Sequence, residues 1–247
     1  ENSPMELVLT DIDYLRDYPY GCNEQTSSRL IALLLLKKIN TQQHKPFLYE
    51  KDILTCLQRL KKAQKTDGSW GWWPKGPTNT WMTIYVTRTL SKASRMGYDT
   101  PGLNEAFSLL NLWLPDMNRA DQRSALALIK ERNPHFDCKP YLDRFEKQVN
   151  RNISEALDLM QIRLICGGTI AKDSLEMYLK HTTMGGIYCG DNGYDWYNRR
   201  TSCTWQAYDI ATRSGWKDII RGIETYWLQD RQSNRNTIEM AQIIEAL

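Results

Sequence analysis

The sequence predicts an all-α protein, an α/α toroid of about twelve helices with six inside and six outside. Apolar residues recur at helical spacing over most of the chain, and strand patterns are nearly absent, except around 187–188 and 194–196. Prolines and glycines divide the chain into segments of helical length, and several short connections indicate antiparallel neighbours. Segments that are apolar on several sides alternate with one-sided amphipathic ones, which indicates an inner and an outer layer.

The helices are predicted from their apolar spacing and from the breaks between them. Residues 24–40, 78–95, 120–130 and 202–213 are apolar on more than one side and predict inner helices. In chain order the predicted helices are 4–17, 24–40, 50–64, 78–95, 102–114, 119–131, 139–149, 152–165, 170–181, 202–213, 215–228 and 235–247. A right-handed solenoid of helical hairpins is the competing architecture, although no tight repeat favours it.

Composition and charge place the chain among ordinary globular proteins. It has 247 residues, 25% charged and 41% hydrophobic, with a net charge of +3. This balance lacks the basic field that nucleic-acid binding requires, so no nucleic-acid partner is expected. The longest aliphatic run, residues 30–36, is too short to span a bilayer. Because the chain opens at Glu1 with neither Met nor a signal peptide, we expect one domain, 1–247, cut from a longer protein.

Cysteine and histidine give no metal pattern. The six Cys include no C-x-x-C pair, and the three His (His44, His135 and His181) stand apart, so we expect no metal and no cofactor. A disulfide between Cys189 and Cys203 is one pairing open to the chain in an oxidising compartment.

Aromatic residues are unusually rich in Tyr and Trp. The chain has nine Trp and thirteen Tyr against four Phe, so its rings favour polar edges. Many lie in two stretches, 64–80 and 182–201, that are too long for simple connectors. Loops of this length in compact domains are commonly functional, and this aromatic content argues against disorder.

The most informative segment joins the first predicted helix to the second. Cys22 and Gln25 stand three residues apart at this junction, so their side chains can share one side of the first helical turn. A thiol held against a carboxamide can displace ammonia and leave an internal thioester. The N-terminal end of the following helix would stabilise the thiolate that is released when a nucleophile attacks.

The surrounding motifs resemble a known family. The sequence Gly-Cys-Asn-Glu-Gln at 21–25, preceded by Tyr-Pro at 18–19, resembles the thioester motif of the alpha-2-macroglobulin and complement family and is most similar to its bacterial branch. Residues 67–74 and 81–83 are similar to the family's aromatic loop and following helix, and 237–247 to its final helix. The resemblance covers both ends of the chain and becomes weaker between about 100 and 200.

The resemblance implies a thioester domain, an α/α toroid, that acts as a covalent trap and not as an enzyme. Cys22 would supply the sulfur and Gln25 the acyl carbon, and an amine, hydroxyl or water would attack once per molecule. A bacterial relative would work in the periplasm or elsewhere outside the cytoplasm, anchored to a membrane through regions missing here. Its partners would be other domains of the same chain and the proteinases that the full-length protein captures.

Several neighbouring residues are candidates for supporting the thioester. Glu24 is expected to support the helix start through the helix dipole, with a solvated surface acid as the alternative. Aromatic rings that exclude water are candidates for a shield, with an ordinary aromatic core as the alternative. These ring residues are Tyr18, Tyr20, Trp70, Trp72 and Trp73. For Trp81, Trp205 and Trp216, which fall on predicted helices, a core position is preferred.

Two other function classes stay open. Gln64, Gly68 and Trp70 match the QW repeat of triterpene cyclases, and protein prenyltransferase β subunits form the same ring. However, the acidic motif of the cyclases is missing, and the zinc set of the prenyltransferases has no convincing His. A non-reactive binding module on the same toroid is the third hypothesis.

Overall fold

The computed structural model describes residues 4–19, 21–148, 152–190, 199–230 and 236–247. Within these residues it contains twelve α-helices and one two-stranded sheet, which confirms the all-α class. Most predicted helices are found with boundaries shifted by one to three residues, as is usual where helix ends fray. The predicted strand at 194–196 lies outside the described residues.

The helices follow one another along the chain. Their bounds are α1 Pro4–Asp17, α2 Asn23–Gln42, α3 Glu50–Ala63, α4 Thr80–Arg95, α5 Leu103–Trp113, α6 Arg119–Arg132, α7 Lys139–Lys147, α8 Ile153–Ile165, α9 Lys172–Glu176, α10 Arg199–Ser214, α11 Lys217–Gln229 and α12 Thr237–Ala246. The strands are β1 Leu179–His181 and β2 Ile187–Cys189, paired antiparallel with Lys180 opposite Tyr188. Within the described residues, no helix combines the length and apolarity needed to cross a bilayer.

The chain forms two compact units. The first comprises residues 1–121 and 235–247, and the second comprises residues 122–234. In the first unit, α2 packs against α1, α3, α4 and α12. Its apolar residues are buried on several sides, Leu30 and Leu33 completely, as its two-sided apolar pattern predicted.

The QW-like pattern performs a structural task in the first unit. The Gln64 side chain donates to the carbonyl oxygens of Gly68, at 3.1 Å, and Gly102, at 2.8 Å. The indole of Trp70 donates to the Leu60 carbonyl at the end of α3, at 2.8 Å. These bonds attach the segment after α3 to α3 itself and to the start of α5, so the pattern needs no cyclase chemistry to explain it.

In the second unit, the predicted helix 170–181 is wrong over its second half. Helix α9 ends at Glu176 and strand β1 follows, because the chain reverses through a hairpin. The Thr182 N–H donates to the Gly186 carbonyl at 2.8 Å, and Gly185 has a φ of +80°, which favours glycine. Strand β2 packs on α11, where Gly222 leaves room for the Ile187 side chain.

The disulfide is also placed differently from the pairing considered above. Cys138 and Cys166 form a disulfide, with their Cα atoms 5.8 Å apart, and no disulfide joins Cys189 to Cys203. Cys138 precedes α7 and Cys166 follows α8, so the bond ties the ends of two helices that pack together.

Candidate functional site

Cys22 lies immediately before α2 and forms its N-cap. Its backbone is extended, with φ −67° and ψ 169°, and it forms a capping box with Gln25. The Cys22 N–H donates to Gln25 Oε1 at 3.2 Å, so the carboxamide folds back toward the residue that carries the thiol. The structure therefore brings the predicted thioester pair together on one turn. Cys22 is buried, with 5% of its surface exposed, and Gln25 is half-buried.

The thiol of Cys22 is held in its neutral form. Burial raises the pKa of Cys22, and the charge of Glu24 raises it further. Hydrogen bonds from backbone N–H groups at the start of α2 lower the pKa of Cys22, and the N–H of Gln25 has the largest effect among them. They do not reverse the shift. The site therefore keeps the sulfur away from solvent while directing the positive end of a helix at it.

Glu24 is buried, with 5% of its surface exposed, so the surface-acid alternative is wrong. Its Oε1 accepts hydrogen bonds from the Ser28 hydroxyl, at 2.8 Å, and from the Thr237 hydroxyl of α12, at 2.7 Å. Burial raises the pKa of Glu24, and these two hydroxyl groups oppose the shift. Glu24 thus joins the first turn of α2 to the first turn of α12, and its role at the helix start stays a prediction.

The segment between α3 and α4, residues 64–79, lies against the start of α2; we call it the aromatic loop. The Asn23 N–H donates to the Trp72 carbonyl at 3.0 Å, and Asn23 Nδ2 donates to the Gly71 carbonyl at 2.8 Å. Asn23 is buried. Two adjacent carbonyl groups of the loop are therefore fastened to the residue that follows Cys22.

The base of the aromatic loop is anchored in the first unit. Trp70 is completely buried, its N–H donates to Thr83 Oγ1 at 3.1 Å, and its carbonyl accepts from the Asn79 N–H at 2.9 Å. Gly71 passes so close to Pro77 that a Cβ atom there would lie 2.0 Å from the Pro77 carbonyl oxygen. Only glycine permits this approach, which explains the glycine between Trp70 and Trp72.

Aromatic rings connect the surface of the loop to the buried carboxylate. The Trp72 ring stacks on Trp81, with centroids 5.7 Å apart, and Trp81 stacks on Tyr85, at 5.2 Å. The Tyr85 hydroxyl lies 2.9 Å from the Ser28 hydroxyl, which donates to Glu24. Trp81, predicted to be core, is therefore half-buried in a stack of rings.

Four of the five ring residues proposed as a shield are described, and they occupy different environments. Trp70 is a core residue, whereas Trp72 and Trp73 are 45% and 56% exposed. Tyr18 is half-buried, its ring lies 5.6 Å from that of Tyr14, and its carbonyl accepts a hydrogen bond from Arg29. Tyr20 lies outside the described residues. Whether these rings shield the thioester pair stays a prediction.

Sequence reasoning missed four residues of this site: Asn23, Ser28, Tyr85 and Thr237. Asn23 stands at a position that the family motif leaves variable, so the motif gives no signal for it. Ser28 could have been noticed because it is a polar residue in a helix that is apolar on several sides. The contact between Glu24 and Thr237 spans almost the whole chain and has no local signal.

The prenyltransferase hypothesis requires a set of zinc ligands. Among the described residues, no group of three or more His, Cys, Asp or Glu side chains could hold a metal ion. The prenyltransferase hypothesis thus gains no zinc ligand set from this part of the chain.

Sequence comparisons with known proteins match part of the chain. A family model described as the A-macroglobulin TED domain matches residues 2–116, which include Cys22, Gln25 and the aromatic loop. Alpha-2-macroglobulin of Thermotoga maritima is 34% identical over 98 residues, 40% of this chain and 6% of that protein. Alpha-2-macroglobulin of Escherichia coli is 31% identical over 96 residues, 36% of this chain and 6% of that protein. The chain thus spans about 6% of the length of these relatives.

Comparisons with solved structures cover nearly the whole chain. Native Escherichia coli alpha-2-macroglobulin has a TM-score of 0.71 at 20% identity over 97% of this chain and 16% of its own. Salmonella alpha-2-macroglobulin reacted with methylamine has a TM-score of 0.71 at 17% identity over 97% of this chain and 17% of its own. These structures show the shared fold, and the sequence matches confirm the predicted family resemblance, including its bacterial branch.

Proposed function

From its resemblance in sequence and fold to a domain of bacterial alpha-2-macroglobulins, we propose that this chain is a thioester domain that traps nucleophiles covalently. The observation that carries the proposal is the pairing of Cys22 with Gln25 at the start of α2, in a buried position. A buried thiol beside a carboxamide is what an internal thioester requires. Capture happens once per molecule, so the chain acts as a trap and not as an enzyme.

Formation of the bond needs no cofactor. The Cys22 sulfur adds to the Gln25 side-chain carbon, the new bond joins Sγ to Cδ, and the carboxamide nitrogen leaves as ammonia with the thiol proton. In the capture step, an attacking amine forms a bond to Cδ while the Sγ–Cδ bond breaks. The thiolate takes up the proton that the amine loses, which leaves an amide on residue 25 and a thiol on Cys22.

The start of α2 favours both steps electrostatically. Backbone N–H groups of the first turn point toward the Cys22 sulfur and stabilise the thiolate as a leaving group. Burial excludes water from the bond before capture. The rings proposed to contribute to that exclusion are Trp72, stacked on Trp81, the neighbouring Trp73, Tyr18 and Tyr20. The buried Trp70 anchors the loop that carries Trp72 and Trp73.

The relatives support a proposal for the partners and the cellular location of the protein. The chain is comparable to a small part of full-length alpha-2-macroglobulins, so other domains of the same protein are its nearest partners. One structural neighbour is an Escherichia coli alpha-2-macroglobulin activated by porcine elastase. We propose that proteinases are the targets of this chain's parent protein too, and that it inhibits them outside the cytoplasm as a bacterial defence.

The mass of the purified chain tests the proposal. We expect the intact protein to be lighter than its sequence mass by one ammonia, and to release one thiol per molecule when treated with methylamine. Cys22→Ser and Gln25→Ala variants serve as controls and should show neither change. A chain of full mass, with Cys22 alkylated at once after unfolding and no methylamine incorporated, would leave only the binding-module hypothesis.

A separate experiment tests the shield. Trp72→Ala removes the exposed end of the ring stack, so thiol release by methylamine should become several times faster. Leu112→Ala, which removes another exposed apolar side chain of the first unit, is the control. Equal release rates in the two variants would show that Trp72 does not shield the bond.

A further inference from the structure

We propose that Asn23 is a positioning residue: its hydrogen bonds hold the aromatic loop beside Cys22 and thereby limit how often a nucleophile reaches the thioester. This inference rests on the proposed function for its chemical consequence. Its structural part, the attachment of the loop to α2, stands on the geometry alone.

Asn23 is built into the contact between loop and helix. Only 4% of its surface is exposed, and both its backbone and its side chain donate to the loop. The acceptors are the adjacent carbonyl groups of Trp72 and Gly71, at 3.0 and 2.8 Å. Any residue except proline can make the first bond, but the second requires a side-chain donor of this length.

The loop's other hydrogen bonds to its surroundings lie at its base, whereas at the tip the Trp72 ring also stacks on Trp81. Trp70 is fixed by its bonds to Leu60 and Thr83, and the Gly76 N–H bonds to the Trp73 carbonyl within the tip itself. Residues 71–73 therefore extend from a rigid base toward α2, where Asn23 receives them. Loss of the Nδ2 bond leaves the Gly71 carbonyl without this donor and makes displacement of the tip easier.

Displacement of the tip matters because Asn23 directly follows Cys22. An incoming amine attacks Gln25 Cδ, and Gln25 is half-buried beside the buried Cys22, so movement of a neighbouring segment increases its access to that carbon. The tip is fastened to the adjacent residue, so its release uncovers the start of α2. The identity of residue 23 then sets the lifetime of the bond without taking part in the chemistry.

The test compares Asn23→Ala with Thr89→Val. Asn23→Ala keeps the backbone bond to Trp72 and removes the bond to Gly71. Thr89→Val removes a buried hydroxyl that donates to the Tyr85 carbonyl within α4, at 2.9 Å, and does not involve the loop. Two readouts are followed: hydrogen exchange of the backbone in residues 71–78 by mass spectrometry, and the rate of thiol release by methylamine.

We expect Asn23→Ala to accelerate both readouts about fivefold, the factor typical for the loss of one buried hydrogen bond. Thr89→Val should leave both within twofold of the unaltered chain, even though both variants unfold at lower urea concentrations. If Asn23→Ala does not fold, Asn23→Ser replaces it, since serine suits a helix start and its hydroxyl is too short to reach Gly71.

The outcomes separate the two proposals. Equal exchange of the loop in Asn23→Ala and Thr89→Val overturns the positioning role, whatever the state of the thioester. Faster exchange with an unchanged rate of thiol release shows that the loop does not control access and also overturns the inference. If the unaltered chain carries no thioester, the proposed function fails, and hydrogen exchange alone still decides whether Asn23 holds the loop.

Discussion

Replacing Thr237 with valine removes one of the two hydroxyl groups that hydrogen-bond to the buried carboxylate of Glu24. The substitution keeps the shape of the side chain and leaves the Ser28 bond in place. Because Thr237 begins α12 and Glu24 lies in the first turn of α2, this pair connects the C-terminal helix to the thioester motif. The perturbation therefore tests whether the two ends of the chain meet at the site.

The size of the effect follows from the geometry. The bond is short, at 2.7 Å, and both residues are buried, so water replaces it poorly. Hydrogen bonds to charged groups contribute about 1.5–3 kcal/mol, and an uncompensated buried charge makes the loss larger. We expect Thr237→Val to lower the free energy of unfolding by about 2 kcal/mol and the melting temperature by about 6 °C for a chain of this size.

Urea unfolding followed by circular dichroism near neutral pH measures this loss. Thr225→Val is the matched control, since Thr225 is half-buried on α11 and its hydroxyl donates to the Arg221 carbonyl of its own helix. The control should change the free energy of unfolding by less than about 0.5 kcal/mol. If Thr237→Val proves no more destabilising than Thr225→Val, the reasoning about Glu24 and α12 is refuted.

Three further predictions concern pH, the aromatic loop and the disulfide. Burial raises the pKa of Glu24 above its ordinary 4.5, so the folded protein holds the carboxyl proton more tightly than the unfolded chain does. The stability that this proton contributes is complete below pH 4.5 and is lost as pH rises through the folded pKa. Glu24→Gln should flatten that part of the plot of unfolding free energy against pH, and an unaltered slope would disprove this source. Gly71→Ala places a Cβ atom 2.0 Å from the Pro77 carbonyl oxygen, so the loop must move and thiol release by methylamine should accelerate about tenfold or more; a rate equal to that of the unaltered chain would count against the loop geometry. Replacing Cys138 and Cys166 together by serine opens a cross-link that spans 28 residues and should lower the free energy of unfolding by about 3–4 kcal/mol in urea titrations, whereas a loss below about 1 kcal/mol would contradict the pairing.

Local sequence patterns predicted the helices and the meeting of Cys22 with Gln25. Apolar spacing located the helices, and the two-sided pattern of residues 24–40 indicated a helix with neighbours around it, as α2 has. The spacing of Cys22 and Gln25 predicted that the two residues meet, as they do, because a helical turn fixes where residues three apart can come together.

The sequence did not predict strand β1 or the different burial of Trp70 and Trp72, because both depend on contacts between distant segments. Helical spacing continued through residues 177–181, but pairing with β2 and packing of Ile187 beside Gly222 made residues 179–181 a strand. Trp70 and Trp72 stand two residues apart in one aromatic run, yet one is buried in the core and the other is half exposed. Only the fold of the aromatic loop around Gly71 distinguishes them.

The most direct test of the central claim is to react the chain with isotope-labelled methylamine, digest it and determine the mass of the peptide that contains residue 25. The thioester account predicts one methylamide on Gln25 and one newly alkylatable thiol on Cys22 in each molecule, with neither product in Cys22→Ser. An unlabelled residue 25, with Cys22 equally alkylatable before and after treatment, would contradict the account.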